Sequence, residues 1–180
     1  MILFMGVAGA GKSAQGRALA DELGLPWLST GEFLRMLISG EPRKNMVSGK
    51  LLEDDEIIRL VQKIFTVVNT QEEFVLDGFP RTAEQADWLL SQVKHGQLNL
   101  TAVIHLTASE KVVRERLLQR ARQDDTEEAI SARFKDYQEN IVPILEQFKA
   151  VGIKVYDIDG DQAVAEVHDA ISTALETIKT

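Results

Sequence analysis

Residues 6–13 read Gly-Val-Ala-Gly-Ala-Gly-Lys-Ser, and this stretch fits the pattern G-x-x-x-x-G-K-[ST] of a phosphate-binding loop. Its glycines let the backbone bend so that several N–H groups point at one anion. Lys12 adds a positive charge that can follow the terminal phosphates, and the hydroxyl of Ser13 can bind Mg²⁺. We therefore predict that the phosphates of a nucleotide are held by Gly9, Ala10, Gly11, Lys12, Ser13 and Ala14.

The segments on both sides of the loop support this interpretation. Residues 2–5 are an apolar run of strand length, and residues 12–23 have the pattern of a helix that ends at Gly24. A loop between a buried strand and a helix N-terminus is an anion site, because N–H groups and the helix dipole both favour negative charge there. The alternative is a glycine-rich turn that matches the pattern by chance. Such a turn would require neither a buried strand before it nor a helix after it.

The composition restricts the classes of protein to consider. The 180 residues suit one domain, and 44% hydrophobic content suits a globular core. The chain has no cysteine, which excludes disulfides and thiolate zinc sites and favours the cytoplasm. No apolar run approaches the roughly 20 residues of a membrane span. The net charge of −8 argues against a nucleic-acid partner, but not against a nucleotide, which responds to local charge.

Apolar runs of strand length alternate with helical patterns along the chain. This alternation predicts an α/β fold, a five-stranded parallel sheet with helices on both faces. The predicted strands are residues 2–5, 26–29, 74–76, 102–106 and 154–156. The later helices are predicted at residues 82–93, from residue 109, from residue 126 to a stop or kink at Pro143, and at residues 162–178.

The segment between the second and third predicted strands is too long for one crossover helix. Helices predicted at residues 31–38, 43–49 and 53–68 would form a small helical flap over the sheet. We therefore expect a single domain with a flap and a very short lid. The core would be residues 1–29, 69–119 and 124–180, the flap residues 30–68, and the lid about residues 120–124.

Residues 77–81, Asp-Gly-Phe-Pro-Arg, follow the third predicted strand. In open α/β sheets ligands bind at the carboxyl ends of the strands. Asp77 can hold Mg²⁺ through water there, and Arg81 can pair with a phosphate by two parallel hydrogen bonds. The alternative is a turn before a helix that Thr82 caps. The phosphate-binding loop on a neighbouring strand favours the functional interpretation.

Arginines become dense at the end of the helix predicted from residue 109. Arg116 and Arg120 are four residues apart and share a face, so they repel each other unless an anion lies between them. The alternative is a solvated face paired with Glu110 and Glu115, and this suits Arg114. The cluster comprises Arg114, Arg116, Arg120 and Arg122, with Arg133 further along.

Other polar features have structural interpretations. Asp125 and Glu128 have the spacing of a capping box for the helix predicted from residue 126, but for Asp125 a functional role stays equally open. The acidic run at residues 53–56 suits a helix start, where the dipole favours negative charge. The histidines have no partners at metal-ligand spacing, so we predict structural or solvated roles for His95, His105 and His168.

Over nearly its whole length the chain resembles adenylate kinases of the short-lid type, which are P-loop nucleoside monophosphate kinases. Residues 28–35 resemble the family's acceptor segment, residues 49–52 the stretch near the AMP adenine, and residues 77–81 its signature, in which the bond before proline is cis. Gln85 stands where the family's adenine-reading glutamine sits, whereas UMP/CMP kinases typically have asparagine. The resemblance implies AMP contacts from Thr30, Arg35, Leu52, Gly78, Arg81 and Gln85.

The resemblance also assigns catalytic and metal-binding roles. The arginines would clamp ATP and the transferred phosphoryl group, and Asp124 and Asp125 match an acidic pair at the lid's end. Ser13, and Asp77 through water, would hold the Mg²⁺ that accompanies ATP. The implied catalytic residues are Lys12, Arg81, Arg116, Arg120, Arg122 and Arg133.

This sequence departs from the family pattern in four places. Ala8 stands where the loop usually has proline, and Ser13-Ala14 replaces Gly-Thr, which makes Ser13 the best hydroxyl for magnesium. Glu32 replaces a usual aspartate. Only residues 121–123 separate Arg120 from Asp124, which leaves no room for a zinc-holding lid.

The reaction implied is reversible phosphoryl transfer, ATP plus AMP giving two ADP, by a cytoplasmic monomer with no nucleic-acid or membrane partner. One alternative is a kinase for UMP, CMP or a hydroxyl acceptor, as in gluconate-type kinases; a hydroxyl would need Asp77 as its base. Another is a nucleotide-binding module without turnover. A binding module without turnover is disfavoured, because the chain has all of the following residues together: Lys12, Asp77, Arg81, Arg120 and Arg122.

Overall fold

A parallel sheet forms the centre of the computed structural model, which describes residues 1–37, 53–120 and 125–177. Within these ranges five strands pair in the order β2-β3-β1-β4-β5, and each neighbouring pair is parallel. The predicted fold class is therefore confirmed. The strands are β1 (Ile2–Gly6), β2 (Trp27–Ser29), β3 (Val75–Asp77), β4 (Ala102–Thr107) and β5 (Val155–Asp159).

Helices connect the strands and cover both faces of the sheet. Gly24 ends α1 with a φ of 66°, as its position after the helical pattern predicts. The helix predicted at residues 43–49 lies outside the described ranges. The helices are α1 (Lys12–Leu23), α2 (Thr30–Leu37), α3 (Asp54–Phe65), α4 (Ala83–Lys94), α5 (Glu110–Arg120), α6 (Glu127–Asp136), α7 (Val142–Ala150) and α8 (Val164–Glu176).

The central strands β1, β3 and β4 are buried on both faces, as crossover helices require of a parallel sheet. Alternate residues of β1 enter opposite cores: Leu3 and Met5 lie in one, and Ile2 and Phe4 lie in the other. All four side chains are buried. Burying one such side chain stabilises the fold by about 1.5–3 kcal/mol, so these cores fix the strand that carries the loop.

The register brings the carboxyl ends of β1 and β3 side by side. Phe4 pairs with Asp77, so the loop after β1 begins next to the turn after β3. On the other side of β1, Gly6 pairs with Leu106 of β4. The predicted phosphate loop and the predicted Asp77 segment are thus neighbours at one edge of the sheet.

Most predicted bounds differ from the observed ones by one to three residues, and two differences have a structural cause. β5 continues to Asp159, beyond the predicted end at residue 156, because the exposed carboxylates of this edge strand hide its period-2 pattern. The irregularity expected at Pro143 comes earlier: a π turn (Tyr137–Ile141) follows α6, and Pro143 lies in the first turn of α7. Because proline has no N–H to donate, the preceding turn must rearrange its hydrogen bonds.

Candidate active site

The loop between β1 and α1 has the backbone that its glycines predict. Gly9 and Gly11 have φ values of 90° and 105°, which lie in the left-handed region. A Cβ atom at Gly9 would lie 2.9 Å from Cγ of Leu117, so the loop packs tightly against α5. Since α1 begins at Lys12, its first-turn N–H groups lie beside the loop and favour an anion there.

Lys12 folds back over this loop. Its Nζ donates hydrogen bonds of 2.8 Å to the carbonyl oxygens of Gly6 and Val7. Burial lowers the pKa of Lys12 to about 8, and the carboxylate of Asp77 opposes this shift. The cations that add to the lowering are Arg81, Arg120 and Arg133. A bound anion would stabilise the charged form of this ammonium group.

Ser13 and Asp77 meet at the start of α1. The Ser13 hydroxyl donates to Oδ2 of Asp77 at 2.5 Å, and the Ser29 hydroxyl donates to the same oxygen at 3.4 Å. Asp77 is buried, with 3% exposure. A hydroxyl and a carboxylate are hard oxygen ligands that suit Mg²⁺ held jointly with nucleotide phosphates. Among the residues that the structure describes, no group of three or more His, Cys, Asp or Glu side chains could hold a metal by itself.

The turn after β3 is held tightly. Gly78 has a φ of 88°, and a Cβ there would lie 2.7 Å from Oγ1 of Thr30. The Phe79–Pro80 peptide bond is cis, as the resemblance implies. Arg81 donates from Nε to the Gly78 carbonyl at 3.1 Å. Its exposed guanidinium lines the same cavity as Lys12.

Gln85 does not reach that cavity in this structure. It is 2% exposed, its Oε1 accepts from the Arg81 N–H at 2.8 Å, and its Nε2 donates to Oδ1 of Asp54 at 2.7 Å. The same Asp54 oxygen accepts from the Thr82 hydroxyl at 2.8 Å. The acidic run at residues 53–56 therefore does more than stabilise a helix start: one of its carboxylates joins α3 to α4.

Asp125 binds two arginines of the cluster, and the capping-box interpretation that the sequence left open for it is wrong. Thr126 is the N-cap of α6 and accepts from Ala129 N–H. Asp125 instead accepts two hydrogen bonds from Arg120, at 2.9 and 2.6 Å, and one of 3.0 Å from Arg133. Its carboxylate has no exposed surface. This buried anion lets two guanidiniums lie close together, because it offsets their repulsion.

The other arginines of the cluster take different positions. Arg116 donates to the Gly160 carbonyl at 2.7 Å and lines the cavity. Arg114 pairs with Glu110 and Glu127 on the outer side of α5, as the solvated-face alternative expects for this residue. Arg122 lies outside the described residues, as does Leu52 of the AMP set.

A cavity of about 420 Å³ joins these groups at the carboxyl edge of the sheet. It brings together most of the predicted site: Gly9, Gly11, Lys12, Ser13, Ala14, Arg35, Asp77, Gly78, Arg81, Arg116, Arg120 and Arg133. Ala10, Thr30 and Gln85 do not line it. Thr30 is buried behind the turn, where its hydroxyl donates to the Asp77 carbonyl at 3.3 Å.

The cavity wall also contains three residues that were not predicted from the sequence, Asp136, Tyr137 and Ile141. The spacing contained a signal, since Tyr137 lies one helical turn after Arg133. Two histidines have carboxylate partners that were not predicted either. His105 Nδ1 lies 2.5 Å from Asp157, and His168 Nε2 lies 2.6 Å from Glu22. Both partners are remote in sequence, so spacing could not indicate them.

Comparisons with known proteins agree with this geometry. A sequence model of the family described as adenylate kinase matches residues 4–153. An adenylate kinase of Corynebacterium urealyticum is 35% identical over 97% of this chain and 98% of its own. Another, of Nocardia farcinica, is 36% identical over 97% and 98% of the two chains. Adenylate kinase 1 of Synechocystis is 35% identical over 98% of this chain and 95% of its own. Among the described helices, none is long and apolar enough to cross a bilayer.

Proposed function

This chain belongs to the adenylate kinase family, and from that premise we propose that it transfers a phosphoryl group reversibly between ATP and AMP, giving two ADP. The observation that carries the proposal is one shared cavity. Lys12, Arg81 and Arg120 come from separate parts of the sequence, yet all three line the same space at the carboxyl edge of the sheet. We propose that two phosphate-bearing ligands meet end to end there.

The donor phosphates would lie on the loop. The N–H groups of residues 9–14 would bind the donor phosphates, and Lys12 would turn from the Gly6 and Val7 carbonyls toward them. Mg²⁺ would be held by Ser13 and, through water, by Asp77, and it would neutralise phosphate charge when bound. The contact of 2.5 Å between the oxygens of these two residues supports that assignment.

The acceptor requires no general base, because a phosphate oxygen of AMP is already anionic at neutral pH. Catalysis is then mainly alignment and charge stabilisation. Arg35 and Arg81 would hold the acceptor phosphate. Asp77 accepts hydrogen bonds from two serine hydroxyls, which suits a metal-side carboxylate better than the base that a hydroxyl acceptor would need.

The arginines would stabilise the moving phosphoryl group. Arg120 and Arg133 already converge on Asp125, so binding would not have to gather two repelling cations from solvent. Arg116 would act beside them, and we assign Arg122 with them on the resemblance alone. By analogy with an arginine finger, one such contact is worth about 10³–10⁵ in rate.

Recognition of the adenine of AMP would fall to Gln85, with Thr30, Leu52 and Gly78 shaping the acceptor side. In this structure the Gln85 side-chain amide is hydrogen-bonded to Asp54 and to the Arg81 N–H. We propose that this glutamine exchanges its bond to Asp54 for one to the base when AMP binds. Closure of the flap (residues 30–68) and of the lid would exclude water, which competes as acceptor.

We also propose that the protein acts in the cytoplasm as a monomer on small-molecule substrates. The lack of cysteine suits a reducing compartment. A monomer suffices for the proposed reaction, because the groups that it uses come from a single chain.

An acceptor assay tests the function. The protein is mixed with ATP, Mg²⁺ and, in separate reactions, AMP, UMP, CMP or gluconate, and diphosphates or phosphorylated acceptor are quantified. We expect ADP formation with AMP at a rate far above that with the other acceptors. Turnover of UMP or gluconate without turnover of AMP would overturn the proposal, and ATP binding with no turnover of any acceptor would favour a binding module.

A further inference from the structure

A second polar network lies against the wall of the cavity, outside the phosphate-binding groups. His105 of β4 is buried, with 6% exposure. Its Nδ1 lies 2.5 Å from Oδ1 of Asp157 on β5, and its Nε2 lies 2.8 Å from the hydroxyl of Tyr137. The two rings also stack, with centroids 5.9 Å apart and planes inclined at 23°. The network therefore ties the segment after α6 to two strands.

Tyr137 connects the cavity wall to the rest of the fold. It begins the π turn, where the Val142 N–H bonds to its carbonyl oxygen. It lies one turn after Arg133, and its side chain lines the cavity. It also packs against both hydrophobic cores. π turns occur frequently at functional sites, and here the side chain of the first residue of the turn is hydrogen-bonded to a buried histidine.

The protonation states fit a directed chain of hydrogen bonds. Burial, with the nearby charge of Asp157, raises the pKa of Tyr137, so the phenol keeps its proton at neutral pH. Burial alone would raise the pKa of Asp157, but the hydrogen bond and charge of His105, with the charge of Lys149, lower it below its ordinary value. With Asp157 ionised, Nδ1–H of His105 donates to it, and Nε2 can accept from the phenol.

We propose that Tyr137 is a positioning residue: its hydroxyl, held by His105, fixes the end of α6 and thereby the guanidinium of Arg133 in the cavity. This inference rests on the proposed function, in which Arg133 stabilises the transferred phosphoryl group. That contact is strongest in the transition state, so losing it lowers kcat and leaves the KM for AMP largely unchanged. A displacement of a guanidinium by a fraction of an ångström suffices for a measurable loss.

The test removes the tether and leaves its surroundings. Tyr137→Phe deletes only the hydroxyl, and His105→Asn keeps an amide near the Nδ1 position while losing the group at Nε2. We expect each to lower kcat about tenfold with KM for AMP within twofold of the original, and the double variant to lose no more than either single one. His105→Gln, with an amide near the Nε2 position, should retain most of kcat.

Tyr156→Phe is the matched control. This tyrosine also forms a side-chain hydrogen bond, of 3.1 Å to the Thr177 hydroxyl, but it lies on the outer strand and does not line the cavity. Its variant should keep the original kcat. Thermal unfolding of all variants, followed by circular dichroism, confirms that each is folded at the assay temperature.

The outcomes separate this inference from the proposed function. If the unmodified protein makes no ADP from ATP and AMP, the function fails. If it does, and Tyr137→Phe has the kcat of Tyr156→Phe, the positioning role is wrong. A loss in Tyr137→Phe that His105→Asn does not share would also overturn it, because the hydroxyl would then act without His105.

Discussion

The two sides of the cavity hold their charges in different ways. On the loop side (residues 6–14), backbone geometry sets the candidate site: glycines with positive φ lead directly into the first turn of α1. On the arginine side (Arg120, Asp125 and Arg133), side chains from two helices meet on one buried carboxylate. The loop side is local in sequence, whereas the arginine side exists only after α5 and α6 have packed.

This difference predicts different consequences of mutation. If the proposed function is correct, a side-chain change on the loop side should remove a catalytic charge but leave the loop conformation, which depends on the backbone. A change at the centre of the arginine side alters both charge and geometry, because Asp125 holds two guanidiniums together. Measurements of activity and stability on the same variants can therefore distinguish a loss of charge from a change in the geometry of the site.

The largest loss of activity is expected from Lys12→Ala. Removing the charge that follows the terminal phosphates should lower kcat/KM roughly a thousandfold, measured by coupled ADP formation. The thermal unfolding temperature at pH 7 should stay the same or rise slightly, because the buried ammonium, whose pKa is lowered to about 8, disfavours the folded state. Lys111→Ala, an exposed lysine of α5, is the control and should change neither quantity. Activity within tenfold of the original would contradict the loop-side role.

Asp125→Asn should have an intermediate effect on activity and a clear one on stability. Without the carboxylate, Arg120 and Arg133 repel each other, so kcat should fall about tenfold to a hundredfold. The free energy of unfolding, from urea titration, should fall by about 1–3 kcal/mol, less than for a fully buried pair since the cavity admits water to both arginines.

The matched control for this variant is Glu127→Gln. Glu127 pairs with Arg114 and also connects α5 to α6, but on the exposed outer surface. An exposed pair contributes about 0–1 kcal/mol, so this variant should unfold almost as the original does and keep its kcat. Equal losses in the two variants would mean that Asp125 only joins helices and does not arrange the cavity.

The smallest effect is a proton taken up when ATP binds. Burial lowers the folded-state pKa of Lys12 from 10.5 to about 8. Between pH 8 and pH 10.5 the folded chain binds fewer protons than the unfolded chain. The buried ammonium of Lys12 therefore lowers the free energy of unfolding below pH 8, and this destabilisation disappears as the pH rises to 10.5. Phosphates restore the charged form, so binding of ATP without Mg²⁺ at pH 8 should take up about half a proton.

Calorimetry in buffers of different ionisation enthalpy measures this uptake. Lys12→Arg is the control, because a guanidinium remains protonated throughout this range and should take up no proton. An uptake that persists in Lys12→Arg would assign the proton to another group.

The sequence predicted the sheet and the loop side well, because both depend on short-range patterns. Apolar runs of strand length must be buried, and a glycine-rich loop between a strand and a helix leaves few alternatives. Local spacing gave a wrong interpretation of Asp125. Its spacing to Glu128 satisfied a capping pattern, but Thr126, the next residue, took the cap, and two arginines took the carboxylate.

Hydrogen-bond partners that are distant in the chain could not be predicted from local sequence patterns. The Gln85 amide contacts Asp54, and His105 contacts Asp157, across 31 and 52 positions of the chain. Hydrophobic periodicity indicates which face of an element is buried. It does not indicate which polar group of another element will lie opposite, since that depends on how the elements pack.

The sequence by itself determined that a parallel sheet would bear a phosphate-binding loop, and that several arginines would need an anion. The tertiary structure decided that the Asp125 carboxylate binds Arg120 and Arg133, and that these two arginines line the same cavity as Tyr137. The physical reason is that backbone conformation responds to neighbouring residues in the chain, whereas a buried charge is stabilised only by the groups that folding brings around it.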